Sequence, residues 1–170
     1  MKKTILQILP SLNNSGGGVE RGTLDVAKEI AMKGYDSVIL SAGGSMAEKH
    51  KHKGVKNVYL PLDKKNPYAY VKIRYGITKI IKNLRPDIIH VRSRWPAFCL
   101  NTIIRKFRIP LITTYHGTFN GNRNFLKKRY NKVMVDGDRV IAISEHILEQ
   151  ISIYFPSAIE KTTLINRGID

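Results

Sequence analysis

Gly16-Gly17-Gly18 and His116 are the residues of this chain whose types and setting could do chemistry. Consecutive glycines let backbone N–H groups approach an anion with no Cβ in the way. If the run opens a helix, the positive end of the helix dipole meets the same anion. The chemistry implied is binding of phosphate or diphosphate; the competing reading is a tight turn that binds nothing. His116 stands in Thr114-Tyr115-His116-Gly117-Thr118. Its imidazole can position a group or move a proton near neutral pH, and Gly117 would let the backbone turn away sharply after it. The competing reading is a histidine that satisfies a buried carbonyl.

Both motifs follow short apolar segments that read as strands. Ile5–Leu9 precedes the glycines and Leu111–Tyr115 precedes His116. Further strands are expected at Ser37–Ser41, Val58–Leu60, Ile88–Val91, Val140–Ile143 and Thr163–Ile165. Helical periodicity covers Glu20–Lys33, Tyr68–Leu84, Pro96–Phe107, Asn124–Val135 and Glu145–Tyr154. Apolar strands alternating with helices argue for an α/β fold, a Rossmann-like parallel sheet with helices on both faces. Such sheets bind ligands beyond the carboxyl ends of their strands, where both motifs would lie. In Tyr68–Leu84, the stripe Ile73, Ile77, Ile80, Ile81 and Leu84 reads as core. Lys72, Arg74, Lys79 and Lys82 lie largely off it and read as a solvated face. Arg85-Pro86-Asp87 ends that helix, and Gly34 ends the first one. Lys49-His50-Lys51-His52-Lys53 reads as a charged loop, since its lysines would repel a metal cation.

Composition narrows the partners. The net charge is +16, from 29 Lys and Arg against 13 Asp and Glu. It points to nucleic acid, an anionic membrane face or a phosphorylated substrate. Cys99 is the single cysteine, so neither a disulfide framework nor a cysteine-based zinc site is available. Met1-Lys2-Lys3 imitates a signal peptide's basic head. The apolar stretch after it is short and broken by Gln7 and Pro10. No run approaches the ~20 apolar residues of a membrane span. The expectation is a cytoplasmic protein, peripheral on a membrane.

Rival motifs fit less well. Gly16-x-Gly18-x-x-x-Gly22 is close to a variant of the dinucleotide-binding fingerprint. That fingerprint wants an acidic residue at the end of the second strand, where this chain has Ser41-Ala42-Gly43-Gly44 and Asp36 precedes the strand. A P-loop is excluded because no Gly-Lys-Ser/Thr follows. Asp136-Gly137-Asp138 precedes its strand, away from the ligand edge, and reads as a polar turn rather than a metal site. Ser144 is a good helix N-cap, which suffices to explain it. No nucleic-acid-reading motif or cluster of strand aromatics is present.

Taken in order, Gly16-Gly17-Gly18-Val19-Glu20, Arg85-Pro86-Asp87-Ile88-Ile89-His90-Val91, Thr114-Tyr115-His116-Gly117, Val140-Ile141-Ala142-Ile143-Ser144 and Ile165-Asn166-Arg167-Gly168-Ile169-Asp170 form a specific set. The set resembles the N-terminal half of family 4 glycosyltransferases, which have the two-domain GT-B architecture. The resemblance implies that residues 1–170 are an acceptor-side domain, with the donor-binding domain lying beyond Asp170. It implies retaining, hexosyl-type transfer from a nucleotide-diphosphate sugar, a co-substrate used without a metal. Gly16, Gly17 and Gly18 would lie under the donor diphosphate. His116 would be the catalytic residue, contacting the transferred sugar. This fragment alone would be inactive.

Two positions depart from the family pattern. Arg92, in His90-Val91-Arg92-Ser93-Arg94, stands where many members have a histidine, and Arg167 stands where asparagine is common. The first hints at an anionic acceptor, such as a lipid-linked or lipopolysaccharide precursor of a bacterial envelope glycan. Arg92, Arg94, Thr118 and Ser144 are the candidate acceptor contacts. Arg123-Asn124-Phe125-Leu126-Lys127-Lys128-Arg129-Tyr130-Asn131-Lys132-Val133-Met134 would place Leu126, Tyr130, Val133 and Met134 on one stripe. Lys127, Lys128, Arg129 and Lys132 could then face an anionic inner leaflet. The alternatives are a non-catalytic nucleotide-binding α/β domain and a basic nucleic-acid-binding module.

Overall fold

The computed structural model describes residues 2–13, 18–119 and 124–166. Its strands are β1 (Thr4–Ile8), β2 (Asp36–Ser41), β3 (Val55–Tyr59), β4 (Ile88–Val91), β5 (Leu111–Tyr115), β6 (Arg139–Ala142) and β7 (Thr162–Leu164). Its helices are α1 (Gly18–Met32), α2 (Ser45–Lys49), α3 (Pro67–Leu84), α4 (Arg94–Phe107), α5 (Phe125–Asn131) and α6 (Glu145–Tyr154). The strands form one sheet in the order β3-β2-β1-β4-β5-β6-β7, every neighbouring pair parallel. The parallel α/β sheet expected from the sequence is the fold observed.

Topology decides which helix covers which face. The chain winds from β1 outward to β3, then crosses back to β4 and winds the other way. Right-handed crossovers put helices of the two windings on opposite faces. One face packs Leu9, Leu24, Ala27 and Ile39 under α1, with Met46 and Ala47 of α2 alongside. The other packs Leu6, Ile8, Ile89 and Val91 under Ile73, Ile77, Leu100, Ile104, Val133 and Ile151, from α3, α4, α6 and the turn after α5. Alternate strand residues supply the two faces. Each fully buried isoleucine contributes about 1.5–3 kcal/mol.

Local chemistry sets the element ends. Asn66 caps α3 by accepting from the Ala69 amide at 2.8 Å, and Pro67 opens the helix. Gly34, with φ of 84°, ends α1. Arg85 and Arg108 end α3 and α4 in the left-handed conformation, at φ of 47° and 53°. The first of these is followed by Pro86, which prevents the helix from continuing. Beyond β1 the backbone stays bound to the segment after β2, with Ala42 N–H donating to Pro10 O at 2.9 Å and Leu12 N–H to Gly43 O at 2.8 Å. At Gly44, with φ of 143°, a Cβ would overlap the backbone of Leu12 and Asn13. Among the described residues no helix is long and apolar enough to cross a membrane.

Some elements differ from the sequence reading. The third strand runs Val55–Tyr59 rather than Val58–Leu60. It is an edge strand, so its outer positions are polar. Part of the expected loop before it is helix, α2. The helix expected over Asn124–Val135 stops at Asn131 and tightens into a 3-10 turn at Lys132–Met134. Leu126 does not join Val133 and Met134 in the core, because it is 74% exposed.

Candidate functional site

The polar residues of the sheet converge at its carboxyl edge, on the face covered by α1. Register brings them together. Gln7 of β1 lies opposite His90 of β4, and His90 lies opposite Ile112 of β5. Period-two alternation then puts Gln7, His90, Arg92, Thr114 and His116 on one face. β1 and β4 are neighbours where the winding reverses, the place where open α/β sheets take ligands.

Hydrogen bonds fasten this cluster. Gln7 Nε2 donates to Thr23 O of α1 at 3.2 Å, and Gln7 Oε1 accepts from Arg92 Nε at 3.2 Å. A single buried amide thus ties the helix that follows the glycine run to the arginine that follows β4. The Arg92 N–H donates to Ile8 O at 3.0 Å. His90 Nε2 and Thr114 Oγ1 are 2.7 Å apart. Burial first, then the charge of Arg92 and the neighbouring His116, hold the His90 pKa well below the ordinary histidine value of 6.5. His90 is therefore a neutral hydrogen-bonding group at physiological pH.

Gly18 is the first residue of α1; Gly16 and Gly17 lie outside the described residues. So do Arg123 and Arg167. His116 is half-buried directly after β5. The chain bends at Gly117 as anticipated, but with no positive φ and nothing within 4 Å of an added Cβ the bend does not require glycine. A Cβ at Gly22 would likewise meet nothing. The last glycine of a dinucleotide fingerprint serves close helix–strand packing, so Gly22 does not play that part. Asp36 opens β2 at the opposite edge of the sheet.

The remaining candidates fall elsewhere. Arg94 donates to Asn131 Oδ1 at 2.8 Å and lies over the Phe119 ring, 4.2 Å from its centroid. It is engaged between α4 and α5. Ser144 Oγ accepts from the Ile147 amide at 3.3 Å as the N-cap of α6. Thr118 is exposed, two residues beyond His116. Lys127, Lys128, Arg129 and Lys132 are all exposed, and Lys132 pairs with Asp136 at 2.8 Å. Asp138 accepts from the Leu111 amide at 2.7 Å, so Asp136-Gly137-Asp138 is a structural turn. No group of His, Cys, Asp or Glu able to hold a metal occurs among the described residues. Cys99 is buried, and its thiol pKa is pushed up to about 12, so it is unreactive.

Gln7, His90 and Thr114 were not singled out as site residues from the sequence. The available signal was a polar residue inside an otherwise apolar, buried strand, which needs a hydrogen-bond partner.

A parallel sheet with its polar chemistry gathered at one carboxyl edge, beside the start of α1, defines a Rossmann-like ligand-binding domain. Residues 16–170 match the sequence model of Glycosyltransferase Family 4, and the chain belongs to that family. It is 27% identical over 137 residues to an uncharacterized glycosyltransferase of Haemophilus influenzae, covering 77% of this chain and 38% of that one. A glycosyltransferase crystal structure from Rickettsia africae superposes with a TM-score of 0.80 at 31% identity, over 99% of this chain and 44% of that one. Anabaena HepE in complex with UDP-glucose superposes with a TM-score of 0.70 at 17% identity, over 98% of this chain and 44% of that one. The chain thus spans less than half the length of these relatives and corresponds to the N-terminal, Rossmann-like half of a GT-B fold.

Proposed function

We propose that this chain is the acceptor-side half of a retaining glycosyltransferase that moves a sugar from a nucleotide-diphosphate donor to an anionic, lipid-linked acceptor. The observation that carries the reading is the gathering of Arg92, the His90–Thr114 pair and His116 at one sheet edge, with Gln7 tying Arg92 to Thr23 of α1. Family membership supports sugar transfer, and the UDP-glucose bound by Anabaena HepE supports a nucleotide sugar as donor.

In transfer, the bond between the anomeric carbon and the diphosphate oxygen breaks and an acceptor oxygen takes its place. Negative charge grows on the departing diphosphate. Backbone N–H groups of Gly16–Gly18 and the amino end of α1 would stabilise it. His116 would contact the sugar at the reacting centre and orient it. The buried Arg92 guanidinium, held by Gln7, would attract an acceptor phosphate or carboxylate. Arg94 and Ser144 are weaker candidates because Arg94 is bonded to Asn131 between α4 and α5 and Ser144 caps α6, and Thr118 lies exposed two residues beyond His116.

The donor nucleotide would be held by a second domain, and no metal is required. The 170-residue chain by itself should bind nucleotide sugars weakly and transfer none. We place the enzyme in the cytoplasm at an anionic inner leaflet, with Lys127, Lys128, Arg129 and Lys132 near the lipid. The test is transfer from uridine- and guanosine-diphosphate sugars by the two-domain protein, beside calorimetry on this chain alone. Tight nucleotide-sugar binding by this chain alone would favour a self-contained nucleotide-binding domain instead.

A further inference from the structure

Three helices on one face of the sheet are basic and free of acid, while α6 beside them carries Glu145 and Glu149. α3, α4 and α5 carry Lys72, Arg74, Lys79, Lys82, Arg94, Arg105, Lys106, Lys127, Lys128 and Arg129 without one Asp or Glu. Across the sheet, α1 mixes Glu20, Asp25 and Glu29 with Arg21 and Lys28. All three basic helices belong to one layer. Tyr70 of α3, Trp95 and Phe98 of α4 and Tyr130 of α5 form a continuous chain of ring contacts through it.

Within that layer α3 has two apolar stripes where a core helix needs one. Ala69, Ile73, Ile77 and Ile81 are buried against the sheet. Tyr68, Val71, Lys72, Tyr75, Lys79 and Lys82 fall on the opposite side, within an arc of roughly 100° at helical spacing. Tyr68 is 76% exposed, Val71 66% and Tyr75 73%, and all three lysines are exposed. Arg74 is not part of this face, because it donates inward to Cys99 O at 2.9 Å and Thr102 Oγ1 at 2.7 Å. Single exposed apolar residues are ordinary, but a contiguous row marks a contact surface.

We propose that the outward face of α3 docks on an anionic lipid bilayer. This rests on the membrane part of the reading above, not on the transfer chemistry, and moves the principal contact from α5 to α3. A tyrosine ring seats its apolar body among acyl chains and leaves its hydroxyl at the headgroups, while lysine stems snorkel upward to the phosphates. From Tyr68 to Lys82 the helix makes a straight row about 21 Å long, which suits a flat surface. A second copy of this chain would set one acid-free face against another and be repelled. A nucleic acid would satisfy the lysines and leave Val71 without an apolar partner. Phe125 and Leu126, 76% and 74% exposed at the start of α5, lie in the same layer.

The experiment is co-sedimentation of the 170-residue chain with vesicles of phosphatidylcholine alone and of phosphatidylcholine with about a third phosphatidylglycerol, with circular dichroism to verify folding. Binding should require the anionic lipid. Each basic residue at such a surface strengthens binding roughly fivefold, so Lys72→Gln, Lys79→Gln, Lys82→Gln together should lower the partition coefficient about a hundredfold. Tyr68→Ser with Tyr75→Ser should weaken the binding that persists at high salt. Lys28→Gln, Lys33→Gln, Lys49→Gln, an equal charge change on the other layer, should cost far less. The proposal is overturned if the two triple variants lose equally, if the α3 variants bind like the parent, or if the chain ignores anionic vesicles and retains single-stranded RNA at physiological salt. Vesicle binding without sugar transfer by the two-domain protein would sink the enzymatic reading and leave the docking face standing. Transfer without vesicle binding would do the reverse.

Discussion

His90 Nε2 and Thr114 Oγ1 meet at 2.7 Å, joining β4 to β5 beneath the carboxyl edge of the sheet. The histidine's depressed pKa makes this contact pH-sensitive in one direction. As pH falls through about 6.5, the unfolded chain protonates His90, while the folded site stays neutral to well below that. The unfolded state then binds more protons, so stability falls as pH falls below 6.5 and is unaffected by this group above it. Urea midpoints at pH 7.5 and 5.5 should differ for the parent and differ less for His90→Gln, which keeps a hydrogen-bonding group and loses the titration. Equal pH dependence in both would mean that His90 is not the group responsible.

Gln7→Leu should destabilise the fold by about 1–3 kcal/mol, chiefly by removing the buried acceptor of Arg92 Nε. In the two-domain protein it should also raise KM for an anionic acceptor more than it lowers kcat, because Arg92 loses its tether. Urea unfolding gives the first quantity and steady-state kinetics the second. Unchanged stability would show that another group replaces the amide.

Gly44→Ala should cost at least about 2 kcal/mol, since a left-handed φ and a backbone overlap act together. The obstructing atoms belong to Leu12 and Asn13, and these cannot rotate aside as a side chain could. Thermal unfolding of this variant beside Gly22→Ala, where the added methyl meets nothing, provides the comparison. Similar midpoints for the two would contradict the close approach at Gly44.

Arg85→Gly should stabilise, by about 0.5–1 kcal/mol, because a non-glycine residue there holds a φ of 47°. Arg85 is exposed, so little packing is lost. A lower unfolding midpoint would mean that the side chain contributes more than its backbone strain costs.

His116→Ala in the two-domain protein should lower turnover about a hundredfold and leave donor affinity nearly unchanged, as expected for a contact strengthened in the transition state. Unchanged turnover with a raised KM would assign His116 to simple binding.

The architecture was legible because apolar strands alternating with amphipathic helices admit few arrangements. Ile73, Ile77 and Ile81 identify the buried side of α3 without any structure, and they are buried. β3 was misplaced because its polar Lys56 and Asn57 lie at a sheet edge, where strand pairing rather than apolar patterning specifies the element. α2 was missed because five residues carry too little periodicity to register. The site was legible only where a motif marked it. His116 and the glycine run stand out in one dimension. Gln7 reads merely as a break in an apolar run, and its partnership with Arg92 across 85 positions exists only once β1 and β4 are paired.

α3, α4 and α5 crowd ten Lys and Arg side by side with no carboxylate among them, while α1 across the sheet mixes three carboxylates with Arg21 and Lys28, so the charge of the molecule is unevenly placed about its sheet. A charged surface exerts a torque on such a body before any contact forms. At physiological ionic strength the torque acts within about 8 Å, the screening length. Rotational diffusion is fast on that scale, so encounters with any polyanionic surface are biased towards one presentation. The effective target is then larger than the docking patch itself, and association should be quicker, and more sensitive to salt, than a randomly tumbling sphere of equal net charge would allow.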